Sequence, residues 1–160
     1  MSAERRTGIG YDSHRFEESG GRLVLGGVEV PGERGLAGHS DADVVAHALA
    51  DALLGAAGLG DIGQHYPDTD EAWRDADSMA LLRDVVARVR EAGFDVVHVD
   101  ATVMLERPKL APHREAIHAS LAAVLGSVNV KATTGEGMGF IGRGEGAAAL
   151  AVATIMSDRS

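Results

Sequence analysis

The sequence contains no cysteine. That excludes disulfides and thiolate metal sites, and leaves His and carboxylate side chains to hold any metal. Aromatic residues are scarce, with one Trp, two Tyr and three Phe, so a core has to be assembled from Ala, Val, Leu and Ile. No apolar run reaches the roughly 20 residues that span a membrane. The N-terminal segment is polar, with Arg5 and Arg6, and lacks the apolar stretch of a secretion signal; the expected compartment is the cytoplasm. Lys and Arg nowhere form a dense run and the formal net charge is −9, which argues against nucleic acid as a partner. An acidic chain that binds an anionic ligand needs local compensation from metals, backbone N–H groups or a few placed cations.

What is present is 160 residues at 45% hydrophobic content, enough for one domain over 1–160. Glycine is abundant, at 21 residues, and clusters at 26–27, 58–63 and 135–146. Residues 7–16 read as a strand running into a loop. Residues 23–30 read as two short strands around Gly26-Gly27, a two-residue hairpin signal. Val44, Val45, Ala48, Leu49, Ala52 and Leu53 repeat at helical spacing and predict a helix over 41–57, with Ser40 or Asp41 as its N-cap and Gly58 as its stop. Residues 59–70 read as a loop. A second helix is expected over 77–92, a strand over 94–105, a third helix over 112–125 and a strand over 128–133. The segment 134–146 reads as a Gly-rich loop. Residues 146–156 are apolar on both faces; their β-branched second half favours a strand over a helix. The sum is an α+β fold: a four-stranded mixed sheet, helices on one face and a small β-hairpin.

Asp12 and His14 stand two apart on a predicted strand and so share a face. The segment His39-Ser40-Asp41-x-Asp43-x-x-x-His47 adds two imidazoles, one before and one inside the predicted helix. Asp12, His14 and His47 can supply three ligands to a zinc ion with an open fourth position; the bland reading leaves His47 an ordinary helix histidine and Asp41 and Asp43 first-turn acids. Asp51, four residues after His47, either orients it or is simply solvated. Residues 131–146 gather hydroxyls, flexible backbone, Glu136 and Arg143 at the end of a strand, which suits phosphate and a hard cation, or a plain surface loop. The Asp61-x-Gly63 and Tyr66-Pro67-Asp68-x-Asp70 segments either hold sugar hydroxyls or form turns. Glu106-Arg107-Pro108-Lys109 either reads a base or counters a phosphate, or is a charged loop.

Together these segments closely resemble the 2-C-methyl-D-erythritol 2,4-cyclodiphosphate synthase family. The resemblance runs in order through Gly8-Ile9-Gly10-Tyr11-Asp12-Ser13-His14-Arg15-Phe16, residues 35–70, the RPKL of 107–110 and residues 128–146. It departs from the family pattern at Ile9, where His is frequent, and at Gly135, where Thr is. It implies a homotrimer with active sites between subunits, and zinc on Asp12, His14 and His47. A second divalent cation, Mg²⁺ or Mn²⁺, is implied on Glu136. His39 and Thr134 fall on positions that steady the transition state, with Ser40 beside them on the substrate. Asp61, Gly63, Tyr66, Asp68 and Asp70 match the part that holds the methylerythritol moiety. Leu105, Pro108, Lys109, Ala111 and Thr133 match a cytidine pocket, and Phe140 and Arg143 match further substrate contacts. The resemblance also implies a central cavity that accepts an isoprenoid diphosphate near Arg143 and Glu145.

Overall fold

Residues 5–15 place Gly8, Gly10, Asp12 and His14 on one face and Thr7, Ile9, Tyr11 and Ser13 on the other. They form strand β1 (Arg5–Arg15) in the computed structural model, which describes residues 2–32, 34–38, 40–73 and 76–157. Two short strands follow, β2 (Leu23–Leu25) and β3 (Val28–Val30). The helices are α1 (Val44–Ala57), α2 (Ile62–His65), α3 (Ser78–Glu91), α4 (Arg114–Leu125) and α5 (Gly139–Gly142). The remaining strands are β4 (Phe94–Met104), β5 (Val128–Thr133) and β6 (Gly146–Ser157). The main sheet has the order β1-β6-β4-β5. Strand β6 is antiparallel to β1 and β4, while β4 and β5 are parallel and therefore need a crossover, which α4 provides. This is the expected α+β class with a four-stranded mixed sheet. The 146–156 segment is a strand, as its β-branched residues predict.

Helix α1 begins later than its sequence pattern suggests. Ser40 and Ala42 have φ of 59° and 52°, a left-handed conformation that a right-handed helix cannot contain. The N-cap is Asp43, not Ser40 or Asp41. The fully buried Asp43 carboxylate accepts from Val45 N at 3.1 Å and Ala46 N at 3.0 Å, and also from Gly26 N at 2.9 Å and Gly27 N at 2.8 Å. One side chain thus closes the helix and fastens the β2–β3 turn to it, and its charge suits the helix N-terminus. Two segments expected to be loops, 59–70 and 134–146, contain the one-turn helices α2 and α5. Asp61 explains the first: its carboxylate and the Gln64 amide form a reciprocal capping box.

Helix α1 is apolar on nearly all sides because it lies between the sheet and α3, buried by both. Helix α3 is amphipathic, with Leu81, Leu82, Val85, Val86 and Val89 turned inward as the pattern predicts. The described residues leave the opposite face of the sheet uncovered in the single chain. Across it, Ile9 pairs with Val152 and Tyr11 with Leu150. Those four side chains are 67%, 40%, 53% and 40% exposed, a contiguous apolar patch on a chain with few aromatics.

Candidate functional site

The site starts from two missing side chains. A Cβ on Gly8 would lie 2.1 Å from the Ala52 carbonyl oxygen, and a Cβ on Gly10 would lie 1.9 Å from that of Ala48. Helix α1 therefore rests its Ala48, Ala52 and Ala56 stripe directly on the backbone of β1. The same strand face continues into Asp12 and His14. Close docking at Gly10 brings His47, the neighbour of Ala48, against both.

Asp12 Oδ2 lies 3.0 Å from His14 Nε2 and 3.2 Å from His47 Nδ1. One ligand atom from each of the three residues falls within 4.8 Å of the others. The far nitrogens decide what the near ones can do. His14 Nδ1 lies 2.9 Å from the Ala37 carbonyl oxygen, which only accepts, so Nδ1 carries a proton. His47 Nε2 lies 2.9 Å from Ser78 Oγ, and Ser78 Oγ–H donates to Asp41 Oδ1. The single Ser78 proton goes to the carboxylate, so His47 Nε2–H must donate to Ser78 Oγ. That leaves His47 Nδ1, 3.2 Å from Asp12 Oδ2, as the nitrogen whose lone pair a cation can take. His14 Nε2 is buried and, among the described residues, faces Asp12 Oδ2 without well-aligned hydrogen-bond geometry. A carboxylate oxygen and two imidazole nitrogens converging in this way fit a divalent cation, and each histidine is oriented through its other nitrogen, as metal-binding histidines are.

Protons compete with a cation for these atoms. Burial works to raise the Asp12 carboxyl, but the contacts with His14 and His47 outweigh it and hold Asp12 below the usual carboxylate range. Asp12 in turn holds the His14 imidazole above its ordinary value of 6.5, against burial. Metal and proton compete for His14 Nε2. Metal affinity is therefore expected to rise with pH through a midpoint above 6.5, measurable by chelator competition across pH 5.5–8.5. A flat profile would show that His14 is not a ligand.

The three residues line a cleft of about 320 Å³ together with Gly38, Gly63, Tyr66 and Asp68. Tyr66 is set there by α3: its hydroxyl donates to Asp84, and Arg88 Nε donates to both Tyr66 Oη at 3.1 Å and Asp84 at 3.0 Å. Burial and the Asp84 charge push the Tyr66 hydroxyl up to about 12, so it stays a protonated donor. Asp51 also lines the cleft, but it does not orient His47: its carboxylate accepts from Ile62 N at 2.8 Å. Ser78 holds that place.

A family profile described as the YgbB family matches residues 5–156. The chain belongs to the YgbB family. It is 62% identical over 156 residues to the 2-C-methyl-D-erythritol 2,4-cyclodiphosphate synthase of Salinibacter ruber, covering 95% of this chain and 99% of that protein. The bifunctional IspDF of Campylobacter jejuni superposes with a TM-score of 0.92 at 47% identity, over 98% of this chain and 43% of that one. A 2C-methyl-D-erythritol-2,4-cyclodiphosphate synthase in its CDP-bound form gives 0.87 at 39% identity, over 94% and 99%.

The remaining expected site residues of this YgbB-family chain lie elsewhere. Pro108, Lys109 and Arg143 line a separate cavity of about 560 Å³ with Phe16, Arg34 and Glu106. Leu105 is buried and Ala111 exposed beside it in sequence. Thr133 ends β5, and Thr134 and Glu136 follow it in a loop fastened by Glu106, which accepts from Gly135 N at 2.8 Å and Gly137 N at 3.1 Å. Phe140 lines a third pocket with Ser13, His14, Arg15 and Glu145. Asp61 and Asp70 cap local turns, accepting from Gln64 N and Ala72 N. Ser40 sits in the left-handed turn before α1, and His39 lies outside the described residues. Among the described residues, the Asp12–His14–His47 cleft and the Lys109 cavity share no lining residue.

Proposed function

We propose that this chain is a metal-dependent phosphorus–oxygen lyase. It cyclises 4-diphosphocytidyl-2-C-methyl-D-erythritol 2-phosphate to 2-C-methyl-D-erythritol 2,4-cyclodiphosphate and releases CMP, a step of the non-mevalonate isoprenoid pathway. The observation that carries this reading is the convergence of Asp12, His14 and His47 in one cleft, in a chain so similar to synthases of that name.

In the reaction a 2-phosphate oxygen bonds to the β-phosphorus, and the bond from that phosphorus to the oxygen bridging it to CMP breaks. The nucleophile needs no strong base, since the second pKa of a phosphate monoester is about 6. The barrier lies in anion repulsion and in folding a flexible chain into a ring, and positioning contributes on the order of 7–11 kcal/mol in well-oriented intramolecular reactions. One carboxylate and two imidazoles suit zinc, and Glu136 suits Mg²⁺ or Mn²⁺. Bound cations would supply neutralisation of phosphate charge to a chain whose net charge is −9. In this reading Gly63, Tyr66 and Asp68 hold the methylerythritol moiety, with Asp61 and Asp70 in the same segment. Leu105, Pro108, Lys109, Ala111 and Thr133 hold cytidine, His39, Ser40 and Thr134 face the phosphates, and Phe140 and Arg143 make further contacts.

The separation of the metal cleft from the Lys109 cavity within one chain supports an active site made by two copies. The bare apolar sheet face supports a homotrimer closed around it, with a central cavity open to an isoprenoid diphosphate near Arg143 and Glu145. The compartment assigned is the cytoplasm; among the described residues no helix is long and apolar enough to cross a membrane.

The test is incubation with the cytidylylated bisphosphate, zinc and magnesium, followed by phosphorus NMR. CMP with a cyclic diphosphate is expected. CMP with an open-chain bisphosphate would make the chain a phosphoesterase using water instead.

A further inference from the structure

We propose that Asp41 and Ser78 are positioning residues of the metal centre, a two-residue relay that fixes the tautomer and direction of His47. The inference rests on the metal reading above and names how this chain builds that centre. Ser78 is the first residue of α3 and is 1% exposed. Its hydroxyl stands between two groups with opposite needs: Asp41 can only accept and His47 Nε2 can donate. Asp41 grips Ser78 twice, accepting from its hydroxyl through Oδ1 and from its backbone N at 3.1 Å through Oδ2. The proton order that follows is His47 Nε2–H to Ser78 Oγ, then Ser78 Oγ–H to Asp41. It turns Nδ1 to the side of Asp12 and His14, as the nitrogen whose lone pair a cation can take.

The same carboxylate shapes the turn before α1. Asp41 Oδ1 also accepts from Asp43 N at 3.3 Å and from Ser40 Oγ at 3.4 Å. It sits between Ser40 and Ala42, both in left-handed conformations that cost a non-glycine residue energy and persist only when surroundings impose them. Asp41 therefore does two jobs with one side chain: it imposes the turn, and through Ser78 it aims the imidazole on the helix that the turn precedes. Ser78 reaches His47 from 31 residues away, so α3 becomes a structural part of the metal centre.

Ser78→Ala isolates the relay, because it deletes the hydroxyl while the backbone N–H to Asp41 remains. Zinc affinity is read by competition with a chromophoric chelator for the wild type, Ser78→Ala, Ser78→Thr and Asp41→Asn, alongside thermal melts of the metal-free proteins. Histidine tautomers are read from long-range proton–nitrogen NMR correlations. Ser78→Ala is expected to weaken zinc binding about 10- to 100-fold and to lose the Nε2–H preference of His47. Its metal-free melting temperature should stay near that of the wild type. Ser78→Thr, which keeps the hydroxyl, should restore affinity. Asp41→Asn should weaken zinc in the same direction and provides the test should Ser78→Ala not fold. Zinc affinity within about threefold of wild type in Ser78→Ala, with the His47 tautomer unchanged, overturns the proposal. A wild type that binds no zinc overturns the metal reading itself.

Discussion

His47→Ala is expected to abolish stoichiometric zinc binding and to lower cyclisation by about 10³-fold or more, while the protein stays folded. The fold tolerates the change because His47 is partly exposed, at 15% of its side chain, and because Ala is a better helix former than His. The centre does not tolerate it. Two ligand atoms, Asp12 Oδ2 and His14 Nε2, remain 3.0 Å apart, too few to hold an ion that takes at least three protein ligands at catalytic sites. Charge stabilisation by such an ion is worth several kcal/mol, and each 1.36 kcal/mol is about tenfold in rate. Metal content, circular dichroism and turnover measured on one preparation check all three statements. Full turnover with no metal bound would remove His47 from the mechanism.

Gly10→Ala is expected to be as damaging by another route. Its φ is ordinary, so the added methyl meets no backbone strain of its own. The new Cβ would lie 1.9 Å from Ala48 O and 2.7 Å from Ala52 N. Both are backbone atoms within a buried helix, and no rotamer change relieves the contact. The helix must move away by more than about 1 Å to reach ordinary non-bonded separation. Overpacking of this kind costs about 3 kcal/mol at the upper end of its usual range, and the movement carries His47 away from Asp12 and His14. Thermal melts and zinc titration should therefore fall together. Gly55→Ala is the control: its Cβ would have only Ile9 O nearby, at 3.9 Å. Replacing a helix-interior glycine by alanine there should stabilise by roughly 0.5–1 kcal/mol. A Gly10→Ala protein with wild-type melting and zinc affinity would show that the helix does not depend on the bare strand backbone.

Why some of this was readable from residue order and some was not follows from how far each interaction reaches along the chain. Asp12 and His14 share a face because strands repeat every two residues, and His47 borders the apolar stripe because helices repeat at 3.6. Both periods are local. The same local reasoning leaves Asp51 either orienting His47 or solvated, and both residues line the cleft. It missed that Asp51 has another donor in Ile62 N, eleven residues on. Ser78 was invisible because nothing near His47 in sequence points to a serine at the start of another helix. Asp41 was visible only as a helix-start acid, since its partner is that same serine. The sequence pattern starts α1 three residues early because the left-handed residues at 40 and 42 are neither Gly nor Asn, the types that announce such a turn.

Asp43 links amides that lie 16 and 17 residues before it to amides just after it. During folding, the first turn of α1 gains its full cap only when the β2–β3 ribbon has arrived, and the amides of the ribbon's turn gain their acceptor only when the helix has begun. The amides of Gly26, Gly27, Val45 and Ala46 should therefore exchange with solvent through one shared opening event, a cooperative unit written into a single carboxylate.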